Sequence, residues 1–303
     1  MDTVIQLSNI HKTYEKTQAL EAIDLSVKQG ELFGLIGPDG AGKTSIIRIL
    51  ATLILADSGN ANVLGFDVVK DYKQIRKRLG YMPGKFSLYY DLSVEENINL
   101  FATIFETSLA ENYDLVKDIY AQIEPFKHRR AGDLSGGMKQ KLALSCALIH
   151  RPEVLLLDEP TTGVDAVSRR EFWEILKGLK AEGISIFVST PYMDEASLCD
   201  RIALIQTGTI LGVDTPEGII GDFEKKLYTI KSNDRFRLLQ DLRSYAYTHS
   251  VFAFGDRVHY TDQREQVEET VLVDFLKQKN HTGISVVSIK PNIEDCFMAL
   301  MEK

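Results

Sequence analysis

The sequence predicts an α/β fold, in which a parallel β-sheet is joined to smaller antiparallel and helical parts. First, an apolar stretch at residues 32–36 leads directly into a glycine-rich loop and a helical pattern. Second, apolar stretches at 154–157, 184–189 and 201–206 accompany a helical pattern at 166–180. Strands that alternate with helices in this way are typical of a parallel sheet with crossover connections. Third, the chain becomes more polar after about residue 220, which indicates a second, smaller domain.

Length and composition are those of a folded chain with a sizeable core. The 303 residues are 44% hydrophobic and 26% charged, and about 150 residues per domain suggests two domains. The formal net charge of −8 argues against a nucleic-acid partner, which needs a basic face. The apolar runs are strand-sized, so any membrane role needs a partner. The scattered Cys146, Cys199 and Cys296, with no secretory signal at the amino terminus, predict buried thiols in a cytoplasmic protein.

Two segments before the glycine-rich loop alternate apolar and polar residues. They are residues 4–7 and 20–27, and a turn at 28–31 follows the second. A period of two is typical of half-buried strands, so the sequence predicts an antiparallel β subdomain here. The strand at 32–36 comes next, and the helix after the loop is expected to run to about Leu55.

The loop at residues 37–44 is a phosphate-binding loop, or P-loop, of the form Gly-x-x-x-x-Gly-Lys-Thr. The predicted nucleotide-binding residues in it and just after it are Gly37, Pro38, Asp39, Gly40, Ala41, Gly42, Lys43, Thr44 and Ser45. Glycines let backbone N–H groups turn toward phosphate oxygens, and the next helix adds its positive end. We expect Lys43 to reach the β- and γ-phosphates of ATP and Thr44 to hold Mg²⁺. A glycine-rich turn without a ligand is the alternative, and the flanking strand and helix argue against it.

A second apolar strand ends in two adjacent carboxylates, Asp158 and Glu159. In a P-loop protein, an acid at this place holds Mg²⁺ directly or through water, and the next acid can polarise an attacking water. We therefore predict Asp158 as a metal ligand and Glu159 as the catalytic residue. Solvated charges at the end of a strand are the alternative.

Residues 85 to 150 are predicted to form a helical subdomain inserted into the α/β unit. Ser93 and Glu96 form a capping box before an apolar helical pattern, and a second amphipathic stretch covers 113–123. A glycine-containing run then opens another helix, and it consists of Leu134, Ser135, Gly136, Gly137 and Met138. Its glycines, serine hydroxyl and helix amino terminus could form a second anion site, although a capped tight turn is the alternative.

The segment after residue 220 is predicted to be a small α+β domain. It shows strands near 228–232 and 284–290, a hairpin near 250–261, and helices near 234–244 and 264–278. The P-loop pattern does not recur there, so this domain is not a repeat of the first. We predict domains at 1–220 and 221–303. Two basic clusters, residues 76–78 and 127–130, are interpreted as solvated surface, with contact to an acidic partner as the alternative.

The run from Leu134 to Met138, placed between the P-loop and the Asp-Glu strand, resembles that of the ABC ATPase family. The resemblance covers about residues 1 to 220 and implies a P-loop NTPase fold. It also implies that the run faces ATP on an opposing subunit, in a head-to-tail dimer with two shared sites. By the same resemblance, Tyr14 would stack on adenine, although an isolated tyrosine could equally serve strand packing. Asp165 would touch the opposing subunit.

Two positions depart from the family's pattern. A glutamine that reaches Mg²⁺ or the attacking water is replaced by Gly84, and a histidine that contacts the γ-phosphate is replaced by Pro191. Neither residue has a side-chain hydrogen-bond donor, and the loss of one such donor commonly lowers a rate on the order of 10²–10³-fold. We therefore predict a degenerate site on this P-loop that binds ATP tightly and hydrolyses it slowly.

The chain is similar to the ATPase subunits of ABC-2 type exporters, especially the amino-terminal half of tandem-ATPase drug exporters. This resemblance implies Mg²⁺-ATP as cofactor and membrane permease subunits as partners. It also implies a second, complete ABC ATPase, in a heterodimer rather than a homodimer. The chain would then lie peripherally on the cytoplasmic side of the cell membrane. The alternative is a soluble ABC ATPase outside transport, acting as an assembly factor or a nucleotide-gated regulator.

Overall fold

The computed structural model describes residues 2–265 and 267–301 and divides the chain into two units. They are Met1–Pro216 and Glu217–Lys303, so the division falls four residues before the predicted one. Each unit has a sheet and a hydrophobic core of its own. A short helix at the division covers Pro216–Gly221.

A six-stranded sheet forms the centre of the first unit. The strands of the unit are β1 Thr3–Tyr14, β2 Thr17–Lys28, β3 Leu32–Ile36, β4 Ser58–Val63, β5 Phe66–Asp67, β6 Leu79–Met82, β7 Val154–Asp158, β8 Ser185–Thr190, β9 Arg201–Gln206 and β10 Thr209–Asp214. The order in the central sheet is β10-β9-β3-β8-β7-β6, parallel except for β10. Every residue of β3, β7 and β8 is buried, which explains their continuous apolar sequences. Because these strands are parallel, their carboxyl ends meet at one edge of the sheet.

The predicted antiparallel β subdomain is confirmed as a four-stranded sheet in the order β2-β1-β4-β5. Its first two strands pair in register Ile5↔Val27 and Leu7↔Leu25, which directs these apolar side chains to one face. Both strands extend beyond the predicted segments. The strands β4 and β5 were not predicted, because the sequence of β4 is largely polar and shows little alternation.

Helices cover the sheets and form the insertion. The helices of the first unit are α1 Lys43–Leu50, α2 Tyr72–Arg76, α3 Val94–Ile104, α4 Tyr113–Tyr120, α5 Gly136–Leu148 and α6 Ala166–Ala181. The capping box at α3 is confirmed: Ser93 Oγ accepts from Glu96 N at 3.1 Å, and Glu96 Oε2 accepts from Ser93 N at 2.7 Å. Two predicted helix lengths were wrong. The helix α1 ends at Leu50 rather than near Leu55, because Thr52 adopts a left-handed backbone with φ 60°, and α4 ends at Tyr120.

The second unit is the predicted α+β domain, with an antiparallel sheet in the order β12-β13-β11-β14. The short helix at the division is α7, Pro216–Gly221. The elements that follow it are β11 Leu227–Lys231, α8 Arg235–Arg243, β12 Thr248–Phe254, β13 Arg257–Asp262, α9 Glu269–Gln278, β14 Ser285–Ile289 and α10 Ile293–Met301. The last helix was not predicted, and α9 begins at Glu269 rather than near residue 264. One face of the sheet packs Tyr228, Ile230 and Tyr260 against α8 and α9. Among residues 2–265 and 267–301, none of the helices combines the length and the apolar character needed to cross a membrane.

Candidate functional site

The P-loop follows β3 at the carboxyl edge of the central sheet, and two of its glycines are required by close backbone contacts. A Cβ on Gly37 would lie 2.2 Å from the carbonyl oxygen of Ile205. Gly42 has φ 105°, and a Cβ there would lie 2.6 Å from the carbonyl oxygen of Ala19. Only glycine satisfies both constraints, so the loop can curl tightly ahead of α1.

Lys43 is only 3% exposed, and its ammonium group lies inside this loop. It donates to the carbonyl oxygens of Gly37 at 2.8 Å and Pro38 at 2.9 Å. The third contact is an ion pair with Glu159 Oε1 at 3.0 Å. A buried ammonium needs such partners, and phosphate oxygens could replace them.

Asp158 lies beside Thr44, the second residue of α1, and is 3% exposed. Its Oδ1 atom accepts hydrogen bonds from Thr44 Oγ1 at 3.1 Å and from Ser189 Oγ at 2.9 Å. Burial raises the pKa of Asp158 above its usual range, while the hydrogen bonds from Ser189 and Thr44 oppose that rise. Hydroxyl and carboxylate oxygens are hard ligands, so Thr44 and Asp158 fit Mg²⁺.

Glu159 is held by the backbone at the turn that follows β7. Its φ is 50°, and its N–H group donates to both the carbonyl oxygen and the hydroxyl of Ser189, each at 3.1 Å. Thr162 Oγ1 donates to Glu159 Oε2 at 3.3 Å. The carboxylate is therefore aimed at the P-loop, and it retains a partly exposed surface of 21%.

Tyr14 also lies at this edge, since its hydroxyl accepts a hydrogen bond from Ser45 Oγ at 3.3 Å. The ring is 42% exposed and Lys12 Nζ lies 5.5 Å from its centre. An exposed ring beside the P-loop can offer a flat face to a base.

Gly84 and Pro191 flank the same group of residues. A Cβ on Gly84 would lie 2.9 Å from the carbonyl oxygen of Asp158 and 3.8 Å from its Cγ. Pro191 directly follows Thr190, whose carbonyl oxygen accepts from Gly37 N at 3.3 Å. A side chain at position 84 would therefore border Asp158, and neither Gly84 nor Pro191 has a side-chain donor.

The run from Leu134 to Met138 belongs to a second group, at the amino ends of α5 and α6. Ser135 caps α5 by accepting from Met138 N at 3.3 Å. Asp165 caps α6 by accepting from Val167 N and Ser168 N, and these hydrogen bonds lower the pKa of its carboxyl. Gly137 packs against Ser168 so tightly that a Cβ would lie 2.7 Å from its hydroxyl. Within the described ranges, no hydrogen bond or ion pair joins this group to the P-loop group.

Two residues that the sequence analysis missed take part in the first group. Ser189 joins Asp158 and Glu159 through its hydroxyl, as described above. Glu195 is 2% exposed and accepts hydrogen bonds from Thr161, in the turn after Glu159, and from Thr190 at the end of β8. The only signal for Ser189 was a hydroxyl at the end of an apolar strand, and Glu195 carried none, because its contacts are tertiary.

This combination of central sheet, P-loop, paired carboxylates and capped glycine run defines a P-loop ATPase of the ABC class. The family model described as ABC transporter matches residues 20–162. The solved structure entitled "Structure of ATP binding subunit of ABC transporter" is similar, with a TM-score of 0.66 and 26% identity over 73% of this chain and 93% of that one. A dimeric, post-hydrolysis structure of the cassette MJ0796 with ADP and Pi aligns with a TM-score of 0.63 and 25% identity, over 70% and 98% of the two chains.

Curated relatives carry the identification further. The chain is 32% identical over 300 residues to the Nod factor export ATP-binding protein I of Burkholderia lata, covering 98% of this chain and 96% of that protein. It is 37% identical over 306 residues to the probable multidrug ABC transporter ATP-binding protein YbhF of Escherichia coli, covering 99% of this chain. It spans about half the length of YbhF, 52%. The chain belongs to the family of ABC transporter ATP-binding proteins.

Proposed function

We propose that the chain is the ATP-binding subunit of an ABC-2 type exporter and couples ATP binding and hydrolysis to a membrane permease. The observation that carries the proposal is the joining of Lys43, Thr44, Asp158 and Glu159 at one sheet edge, in a chain whose near full-length relative is named for export. The cargo would be a drug, lipid or other amphiphile; the two relatives are named for multidrug transport and for Nod factor export.

The residues at the sheet edge divide the chemistry among them. Lys43 would exchange its carbonyl partners for the β- and γ-phosphates of ATP, and the N–H groups of the P-loop would surround the β-phosphate. Thr44 and Asp158 would hold Mg²⁺, which neutralises charge on the bridged phosphates. Glu159 would polarise the attacking water once phosphate has displaced it from Lys43, and Tyr14 would stack on adenine.

The site on this P-loop is proposed to be degenerate. Gly84 adjoins Asp158 without a side chain, and Pro191 follows the strand end that contacts Gly37. Missing donors at both positions would leave charge that develops on the γ-phosphate less stabilised, while ground-state binding through Lys43 persists. The site would therefore bind ATP tightly and turn it over slowly.

A degenerate site has a place in a pair of unequal subunits. The run Leu134–Met138 and the cap Asp165 have the residues to complete a site on a second, intact ABC ATPase, so the partner would form a heterodimer rather than a homodimer. The helical subdomain would dock on the permease from the cytoplasmic side of the cell membrane. Its exposed Tyr89, Tyr90 and Ile104, between 52% and 61% exposed, offer an apolar contact surface. No nucleic-acid partner is proposed.

Co-purification tests this proposal. The tagged chain should capture a detergent-solubilised permease and a second ATPase from cells that express the neighbouring genes, and Mg²⁺-ATP should strengthen the ATPase pair. A Lys43→Ala variant is the matched control, because it should keep the permease but weaken the effect of ATP, which would then act only through the site on the partner's P-loop. Isolation of the chain without any membrane protein, under conditions that preserve other exporters, would favour the soluble assembly factor instead.

A further inference from the structure

A basic surface on α2 and the residues beside it is unused by the proposed function. It is defined here as the α2 surface and consists of Lys70, Lys73, Arg76, Lys77 and Arg78 with the exposed apolar residues Leu53, Leu55, Val69 and Tyr72. Residues 70–78 contain five of these cations, although the whole chain has a formal net charge of −8. The only acid within that stretch is Asp71.

The cations share an exposed face because of the geometry of α2. Ile75 is buried and anchors the helix, whereas Lys73, Arg76 and Lys77 are exposed and stand at i, i+3 and i+4. Of the five cations, Arg78 lies 3.7 Å from the carboxylate of Glu153 in an exposed ion pair. The carboxylate of Asp71 instead accepts from the N–H group of Asp67 at 3.2 Å. Asp67 in turn accepts from backbone N–H groups of its own turn.

Apolar side chains lie next to this basic face. Arg76 joins α2 to the loop after α1, since it donates to the hydroxyl and carbonyl oxygens of Thr52, both at 2.8 Å. Leu53 and Leu55 in that loop are 52% and 62% exposed, and Val69 at the other side is 54% exposed. Exposed aliphatic residues beside cations suit the interface of a lipid bilayer, because the cations can contact the headgroups there while the aliphatic side chains contact the acyl chains.

We propose that the α2 surface binds the anionic phospholipid headgroups of the membrane in which the permease lies. This inference goes beyond the proposed function, which concerns protein partners and ATP. Each cation close to an anionic bilayer raises affinity about fivefold, so several together give a weak but measurable attraction that salt reduces. Weak attraction is sufficient, because docking on a permease already holds the subunit at a high effective concentration near the bilayer.

Vesicle co-sedimentation of the whole chain tests the proposal without a permease. Wild-type protein should bind vesicles that contain phosphatidylglycerol, bind pure phosphatidylcholine vesicles much more weakly, and dissociate in high salt. The triple variant Lys70→Gln, Lys73→Gln, Lys77→Gln should lose affinity on the order of 100-fold. Among the described residues these three side chains make no hydrogen bond or ion pair, so the variant should keep its unfolding temperature.

The second basic cluster provides a control with the same change in charge. Lys127→Gln, Arg129→Gln, Arg130→Gln should leave vesicle binding unchanged if the α2 surface is the contact. Equal losses in the two triple variants, or no binding of the wild type to anionic vesicles, would overturn the proposal. So would an α2 variant that binds vesicles normally but no longer assembles with the permease, since the surface would then recognise an acidic protein segment.

Discussion

Asp158 is expected to destabilise the nucleotide-free protein, and Asp158→Asn tests this expectation. The carboxylate is 3% exposed, lies next to Glu159 and has a pKa raised mainly by burial. Two hydroxyl groups, of Ser189 and Thr44, only partly replace its water. An asparagine keeps an oxygen acceptor for them and removes the buried charge.

The magnitude follows from these contacts. Removal of a desolvated charge that two hydrogen bonds partly stabilise should raise the free energy of unfolding on the order of 1 kcal/mol at neutral pH. For a unit of this size, that change corresponds to roughly 2–4 °C in Tm. Added Mg²⁺-ATP should reverse the order, because the wild type gains ligand stabilisation that the variant has lost.

The effect of pH provides the check on cause. A carboxyl whose pKa is raised on folding contributes stability below its unfolded pKa and loses it as the pH rises through the folded pKa. The advantage of Asp158→Asn should therefore be present at neutral pH and disappear in acid, where the wild-type Asp158 is also neutral. Thermal unfolding across this range measures it. A variant that is less stable than the wild type at neutral pH without nucleotide would refute the reasoning.

Three further predictions concern the loop, the glycine run and the second unit. Gly37→Ala should lower the free energy of unfolding by about 3 kcal/mol, because its Cβ would overlap the carbonyl oxygen of Ile205. Gly40→Ala has open space around its Cβ and should cost only about 1 kcal/mol, because of the positive φ at that position. Urea unfolding of the two variants measures the difference. Ser135→Ala should cost about 1 kcal/mol through loss of the α5 cap but leave the Kd for ATP unchanged, and a weakened Kd would contradict the separation of the two groups. Arg264→Gln should lower the free energy of unfolding by about 2 kcal/mol, because Asp262, which is 2% exposed, loses its ion pair. The loss is smaller than for a fully buried pair, because Arg264 is 35% exposed. Burial acts to raise the pKa of Asp262, but hydrogen bonds from Arg264 and Tyr260 hold that pKa below its usual range. The ion pair therefore stabilises the protein fully above the pKa of Asp262 in the unfolded chain, and the stabilisation should be lost as the pH falls through the pKa in the folded protein. If Arg264→Gln lost the same stability at neutral and at strongly acidic pH, the loss could not be attributed to the ionised carboxylate of Asp262.

The elements best predicted from sequence are those with a single strong local signal. Continuous apolar strands such as β7 and the capping box at Ser93 are local patterns, and the structure confirms both. The end of α1 was misjudged, because the apolar residues after Leu50 continue a helical period while Thr52 reverses the backbone. Apolar periodicity does not report a change in φ.

The site shows the same division between local motif and tertiary contact. The P-loop and the Asp158-Glu159 pair were recognised from short motifs. The ion pair between Lys43 and Glu159 joins residues far apart in the chain, and it forms only because parallel strands end at one edge. The buried carboxylate of Glu195 depends on the packing of Thr161 and Thr190 in the same way.

The steady-state rate of ATP hydrolysis by the purified chain, at saturating Mg²⁺-ATP, tests the central claim most directly. A degenerate site should bind ATP, as measured by titration calorimetry, and turn over far below roughly one per second. Pro191→His, which restores one donor, should then raise the rate on the order of 10²-fold without tightening ATP binding. A wild-type chain that hydrolyses several ATP molecules per second by itself would contradict the account.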